Sequence, residues 1–307
     1  MDQLDSNLLR EIADMDGEST DGAFNIRKNG GLSSRYSTPN ISIVSKEDKP
    51  GIDIHVKPFT KGESVHIPVI ITESGFHDLV YNDFYIGEGA DVVIVAGCGI
   101  HNSGHAKTQH DGIHTFHVGK NARVQYSEKH YGEGGGTGDK VLNPETLVYL
   151  DEGASITLDM VQIRGVDSTK RYTKVIAEGA GSECIVTERL LTDGKQFAES
   201  RMDVLLNGKD SKTQVISRSV AQDESVQVFY PQVEGNAACF GHVQCDSIIM
   251  DKAKVSSIPA IVANDMDAQL VHEAAIGRIA GDQILKLMTL GLTEEEAEQT
   301  ILDGFLQ

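Results

Sequence analysis

The sequence lacks several things, and each absence narrows the reading. It has no tryptophan, only four cysteines in 307 residues, and no basic run. The cysteines are unevenly spaced and make no disulfide framework, so free thiols are expected. No apolar run approaches the roughly 18 residues that a membrane helix needs. The opening MDQLDSNLLREIADMDGEST is acidic and has no apolar h-region, so it does not read as a signal peptide. A soluble, cytoplasmic protein is expected. Positive charge is scarce: 27 Lys and Arg stand against 46 Asp and Glu, a net charge of −19. Phosphate backbones are gripped through Lys and Arg. The chain is therefore a poor match for nucleic acid or an anionic membrane, and its acidity signals mainly solubility. A nucleotide loop is missing too. YGEGGGTGDKV suggests one, but Asp139 precedes Lys140 and Val141 follows it, so the pattern fails and a flexible loop remains.

What is present is glycine, 31 residues, and short alternating runs. Residues 1 to about 16 read as a helix, with Leu4, Leu8, Leu9 and Ile12 on one face and Gly17 ending it. Residues 17 to about 40 are polar and Gly/Ser-rich and read as a linker or a loosely docked segment. From 41 the runs ISIV, IDIHV, VHIPVIIT, VVIVAG, ITLDMVQI and KTQVISRSV are strand signals. A Gly turn followed by an alternating run recurs, with glycines at 87, 119, 153, 179 and 208, gaps of 32, 34, 26 and 29 residues. Repetition on this scale predicts a β-solenoid, whose coils bury their inner faces only by stacking. A β-sandwich is the competing architecture. After about 275 the period turns helical. GDQILKLMTLG puts Ile284, Leu287 and Met288 on one face and stops at Gly291. A second helix then opens on a Thr293/Glu296 capping box, with Ala297, Ile301, Leu302 and Phe305 as its apolar stripe. The expected organisation is a helix and linker over 1–40, a mainly β solenoid core over 41–275, and a helical segment over 276–307.

Two constellations could carry chemistry. GCGIHNSGHAKTQHDGIHTFHVG gathers Cys98, His101, His105, His110, His114 and His117, donors suited to borderline or soft metals. Its spacing matches no known zinc pattern, and surface histidines around a buried Cys98 are the plain alternative. Cys184 and Cys239 lie among apolar neighbours and read as packing residues. In HVQCDSIIM, Val243, Cys245, Ser247 and Ile249 share one strand face, so packing is also the plain reading of Cys245. His272 and Glu273 follow 27 and 28 residues later, close to one coil. Stacking would bring them near Cys245, on opposite faces of their own strand. Thiolate, imidazole and carboxylate together could ligate iron.

QCDSIIM, DAQLVHEAAIGRI, GDQILKLM, GLTEEEAE and ILDGF, in that order from about Gly235 to the end, resemble the SufB/SufD family of iron–sulfur assembly proteins. The resemblance implies a right-handed parallel β-helix core with a helical C-terminal segment. It implies that a SufC-type ABC ATPase binds those helices, with Gly281, Asp282, Gln283, Leu287, Met288, Glu294 and Glu295 in the contact. It implies pairing of two cores through their solenoid ends, as a homodimer or with a SufB/SufD-like paralogue, and a transient iron–sulfur cluster near the interface. The family's cluster-associated cysteine matches Cys245, the SufB-type glutamate matches Glu273, and a histidine carried by SufD-like chains matches His272. The N-terminal cysteine motif of many SufB proteins is absent. The upstream sulfur-accepting cysteine has no clear match, Cys184 and Cys98 being candidates only. The expected function is a non-enzymatic assembly scaffold with a separate sulfur donor and cluster-accepting proteins. The alternatives are a SufD-like subunit that binds no cluster, and a metal-dependent β-helix enzyme with Cys98, His101 and His105 among its ligands.

Overall fold

The computed structural model describes residues 2–306 apart from 16 and 18, with the backbone alone at 163 and 164. Residues 1, 16 and 307, which bound the expected terminal helices, lie outside the described residues. The chain opens with α1 (Gln3–Ala13), β1 (Ala23–Lys28), β2 (Gly31–Tyr36), β3 (Ile41–Ser45) and β4 (Gly51–Val56). Long strands follow: β5 (Lys61–Ile71), β6 (His77–Ile86), β7 (Asp91–His101), β8 (Thr108–Val118) and β9 (Arg123–Glu133). Next come β10 (Lys140–Leu142), β11 (Glu145–Leu150), β12 (Ser155–Arg164), β13 (Ser168–Ala177) and β14 (Glu183–Thr192). The series continues with β15 (Phe197–Leu206), β16 (Ser211–Ala221), β17 (Val226–Gly235) and β18 (Cys239–Ile249). It closes with β19 (Lys254–Ser257), β20 (Ala260–Ala263), β21 (Gln269–Gly277), α2 (Gly281–Thr289) and α3 (Glu294–Phe305).

From β5 onward the chain alternates between two sheets, and successive strands within each sheet run parallel. This is a β-solenoid of about eight turns, not a sandwich. Along one sheet Arg123, Ser155, Glu183, Lys212, Phe240 and Gln269 follow one another rung by rung. Within a strand, alternate residues are buried, as in β15, where Ala198, Ser200, Met202, Val204 and Leu206 point inward. Stacked inward positions build one continuous apolar core from Ala23 to Cys245.

The recurrent glycines mark a corner where coils touch backbone to backbone. A Cβ on Gly208 would lie 2.1 Å from the Gly179 carbonyl oxygen, and one on Gly179 would lie 2.1 Å from the Asp151 carbonyl carbon. The same corner carries a side-chain ladder. Asn207 donates to Glu178, Asn236 to Asn207, and Asn264 to Asn236, at 2.6–2.8 Å.

Two expectations for the N-terminal part need correction. The segment 17–40 is no linker. Its β1 and β2 form an antiparallel hairpin, and β1 pairs in parallel with β5, so the segment starts the first sheet. Asn29 and Gly30, both at positive φ, make the two-residue turn. The helix ends before Gly17, because Asp14 adopts the left-handed cap at φ 52°. Leu8, Leu9 and Ile12 of α1 are fully buried against the outer face of β7, where Gly97 and Gly99 leave room. A Cβ on Gly97 would sit 2.3 Å from the Ile12 carbonyl oxygen.

At the other end the capping box forms as expected: Thr293 Oγ1 accepts from the Glu296 amide, and Glu296 accepts from the Thr293 amide. Ala297 and Leu302 of α3 are buried, with Ile301 and Phe305 half-buried. α2 buries none of its residues fully. Ile284 and Leu287 are half-buried, while Leu285, Met288 and Leu290 face solvent.

The corner contact predicts a measurable cost. Gly208→Ala forces two backbones apart and should lower unfolding stability by about 1–3 kcal/mol, the range for overpacking. Urea denaturation checks this, and an unchanged midpoint would show that the corner is not tightly stacked.

Candidate functional site

The candidate site forms because β18 and β21 are register neighbours, with β21 the last strand of its sheet. Val243 pairs with His272, and Gln244 pairs with Glu273. The alternation then puts His272 inside with Val243 and Cys245, and Glu273 outside with Gln244 and His242. Cys245 Sγ lies 3.5 Å from His272 Nε2. Glu273 sits with an oxygen 3.7 Å from His242 Nε2 and is 64% exposed. The structure therefore brings Cys245 and His272 together and sets Glu273 on the opposite face. Among the described residues no group of three or more His, Cys, Asp or Glu is placed to hold a metal ion. Cys245 and His272 are two donors at an open rung.

The electrostatics of the pair are those of a stored proton. Burial pushes the Cys245 thiol up to about 11; the Ser257 hydroxyl beside it pulls the other way, and the charges of Glu188 and Asp246 add to the rise. Burial lowers His272, and nearby His242 lowers it further. At neutral pH the thiol is protonated and the imidazole is neutral, with its Nε2 facing the sulfur.

Behind Cys245 runs a polar column that sequence reasoning missed. Glu128, Met160, Glu188, Ser217, Cys245 and Ala274 occupy successive inward positions of one sheet. Arg171 reaches across from the other sheet, 3.2 Å from Glu128 and 3.7 Å from Glu188. Ser200 and Ser217 donate to Glu188 at 2.7 and 3.2 Å. Tyr126 donates to Glu128 and contacts His114 at 2.7 Å. Burial pushes the Glu128 carboxyl up, but His130, Arg171 and His114 outweigh it and hold the group well below the usual range. Buried charges of this kind persist only when paired and hydrogen-bonded. The signal was there: Glu188 shares its strand face with Cys184 and Val186, which are apolar and buried.

The other constellation does not assemble. Cys98 is buried and faces the interior, and burial, with Asp78 and Glu128, raises its thiol well above the ordinary value. His101, three residues along the same strand, points outward to Glu133 at 3.1 Å. His105 lies in the following loop and contacts Thr137 at 2.8 Å. Odd spacing on a strand separates Cys98 from His101, so these three residues form no metal site. His110 and His114 point inward and His117 outward, where its ring stacks between Tyr85 and Tyr149. Cys98, His110, His114, Glu128 and His130 do line one internal cavity, but of about 10 Å³, room for a single water. Cys184 and Cys239 are buried packing residues, as expected.

Residues 77–305 match the family model of the SufBD core domain of the SUF system for iron–sulfur cluster assembly. The chain belongs to the SufBD family. It is 30% identical over 243 residues to an iron–sulfur cluster assembly SufBD family protein of Methanocaldococcus jannaschii, covering 79% of this chain and 76% of that one. A SufBD family protein of Archaeoglobus fulgidus is 27% identical, covering 86% and 70%. One of Pyrococcus horikoshii is 26% identical, covering 88% and 82%. SufBD membership places the chain in iron–sulfur cluster assembly. Among the described residues no helix is long and apolar enough to cross a membrane.

The site chemistry predicts a pH profile. Alkylation of Cys245 by iodoacetamide, followed on its own peptide by mass spectrometry, should keep rising with pH until it nears 11. A rate that levels off near 9, the ordinary thiol value, would contradict the buried, proton-holding site.

Proposed function

We propose that this SufBD chain is a scaffold on which an iron–sulfur cluster is built at the open C-terminal end of the solenoid. The observation that carries this reading is the 3.5 Å contact between Cys245 Sγ and His272 Nε2 at the last rung. Thiolate and imidazole both suit iron. Iron displaces the Cys245 thiol proton as the sulfur binds it; His272 Nε2 accepts that proton, gives it to water, and is then free to act as the second donor. Four thiolates are the usual cradle of a stable cluster; a mixed, partial ligand set suits a cargo that must leave. Sulfide comes from a separate donor protein, and the finished cluster passes to acceptor proteins.

Two donors from one chain leave the set incomplete. A second copy, or a SufBD paralogue, placed end to end across a two-fold axis supplies the matching pair. The last rung supports this. β21 is an edge strand, every residue of β20 is exposed, and Ile261, Val262, Met266, Val271 and Ile276 face solvent there. Edges and apolar patches of this kind are natural pairing surfaces. Glu273, on the outer face beside His242, then lies free to approach the partner's site.

The helical pair α2–α3 is the proposed seat of a SufC-type ABC ATPase. Leu285, Met288 and Leu290 are exposed there, and the first turn of α3 carries Glu294, Glu295 and Glu296. Gly281, Asp282 and Gln283 open α2 and are exposed. ATP hydrolysis belongs to that partner, and the scaffold itself is not an enzyme.

One observation favours a second reading, a SufD-like subunit without a cluster: the raised Cys245 thiol in a site with only two donors. The two readings separate in one experiment. The chain is co-expressed anaerobically with its cognate ATPase, and iron, labile sulfide and thiolate-to-iron charge-transfer absorption are measured for wild type and Cys245→Ala. The scaffold reading expects all three in the wild type and a fall to background in a variant that still folds and pairs. Equal loading of both proteins makes Cys245 a packing residue, and no loading in either supports the SufD-like subunit.

A further inference from the structure

The opposite end of the solenoid holds a second concave site, unrelated to Cys245. The inward faces of β1, β5 and β6 leave a cavity of about 320 Å³ at the N-terminal mouth, closed over by β2 and the β3–β4 turn. That volume lies within the range of small-molecule pockets. Four cations line it: Arg27, Arg35, Lys46 and Lys49. Among the described residues no aspartate or glutamate does. In a chain of net charge −19, a pocket walled by four cations and no carboxylate is not an average patch of surface.

The four cations are not equivalent. Arg27 is held by Asp78 in a bidentate pair at 2.7 and 2.9 Å, and Lys46 is held by Asp53 and Asp83. These three carboxylates stand behind the wall and are occupied. Arg35 differs. It donates through Nε to the Asn25 side chain at 2.8 Å and through Nη2 to Ser45 at 2.9 Å, both neutral partners. Lys49 Nζ sits 4.4 Å from the centroid of the Tyr81 ring, which alternates with the inward Val80 and Asn82, so that ammonium belongs to the outer face, as does Lys46 with Asp53 and Asp83. Among the described residues Arg35 has no carboxylate within ion-pair distance. Neutral hydrogen bonds fix the Arg35 guanidinium without neutralising it, as a preorganised anion site requires. Burial lowers the Arg35 pKa, the mark of a cation partly stripped of water and left uncompensated. The acidic residues of the β3–β4 turn, Glu47 and Asp48, are exposed and do not line the cavity.

Asn25, Ser45 and Asn82 add neutral polar groups to the wall, and its apolar part is Ile52, Ile67, Val69 and Val80, all buried, with Leu32 and Pro50 at the mouth. An inorganic ion would leave that surface unused. We propose that the N-terminal mouth binds a small organic anion, with its charged oxygens on Arg35 and its apolar body against Ile52, Ile67 and Val80. Phosphate monoesters and carboxylates share this chemistry.

Isothermal titration of the full-length protein with phenyl phosphate, benzoate and inorganic phosphate tests the proposal and separates the sources. Saturable binding of phenyl phosphate or benzoate is expected, tighter than that of inorganic phosphate and weakened by added salt. The arm that binds identifies the anionic group. Arg35→Gln should weaken binding about tenfold, the scale of one charge-assisted hydrogen bond, with thermal melting by circular dichroism showing that the variant still folds. Lys49→Gln, whose ammonium lies on the outer face, should bind as wild type does. Cys245→Ala should bind as wild type does. The proposal is overturned if none of the three probes binds, if inorganic phosphate binds as tightly as the organic anions, or if Arg35→Gln binds undiminished.

Discussion

Everything in this molecule depends on coils stacking in register. A residue's neighbours along the solenoid axis are not its neighbours in sequence but those about 28–32 positions away, as in the run Arg123, Ser155, Glu183, Lys212, Phe240, Gln269. One inward side chain thus sits on another, and its chemistry is set by the rungs above and below. Apolar columns become a core. A column holding Glu128, Glu188, Ser217 and Cys245 becomes a buried polar line that ends at the open rung. The close backbone contact at Gly179 and Gly208 is the steric cost of that registration.

The same constraint explains what could be read from the sequence. Short alternating runs and a repeat near 30 residues predict a solenoid because those are the two periods of the stacked coil. The 27 residues between Cys245 and His272 predict contact for the same reason, and alternation separates His272 from Glu273. The histidine-rich stretch misleads because closeness in sequence is not closeness in a strand: Cys98 and His101 leave opposite faces. The β1–β2 hairpin lies outside the repeat, and its one local signal is the Asn29–Gly30 turn. The Glu128–Arg171–Glu188 network was not legible as a network, because Arg171 arrives from the other sheet and no spacing along one strand announces it.

The two ends of the solenoid carry opposite chemistry. The C-terminal rung offers a thiol, an imidazole and an unpaired strand edge. The N-terminal mouth is roofed by antiparallel hairpins and lined with cations. Between them Arg171 pairs with both Glu128 and Glu188, and His130, Arg171 and His114 hold Glu128 ionised in the core. The rigid stack fixes Cys245 against His272 without any loop, so the site's geometry follows from the backbone register alone.

The central claim is that Cys245 and His272 together hold iron at the open rung. Iron K-edge X-ray absorption on the anaerobically loaded protein tests it most directly. The account predicts a mixed shell of sulfur and nitrogen around iron, with the imidazole contribution lost in His272→Ala while sulfur remains. A spectrum of sulfur alone, unchanged by that substitution, would contradict it.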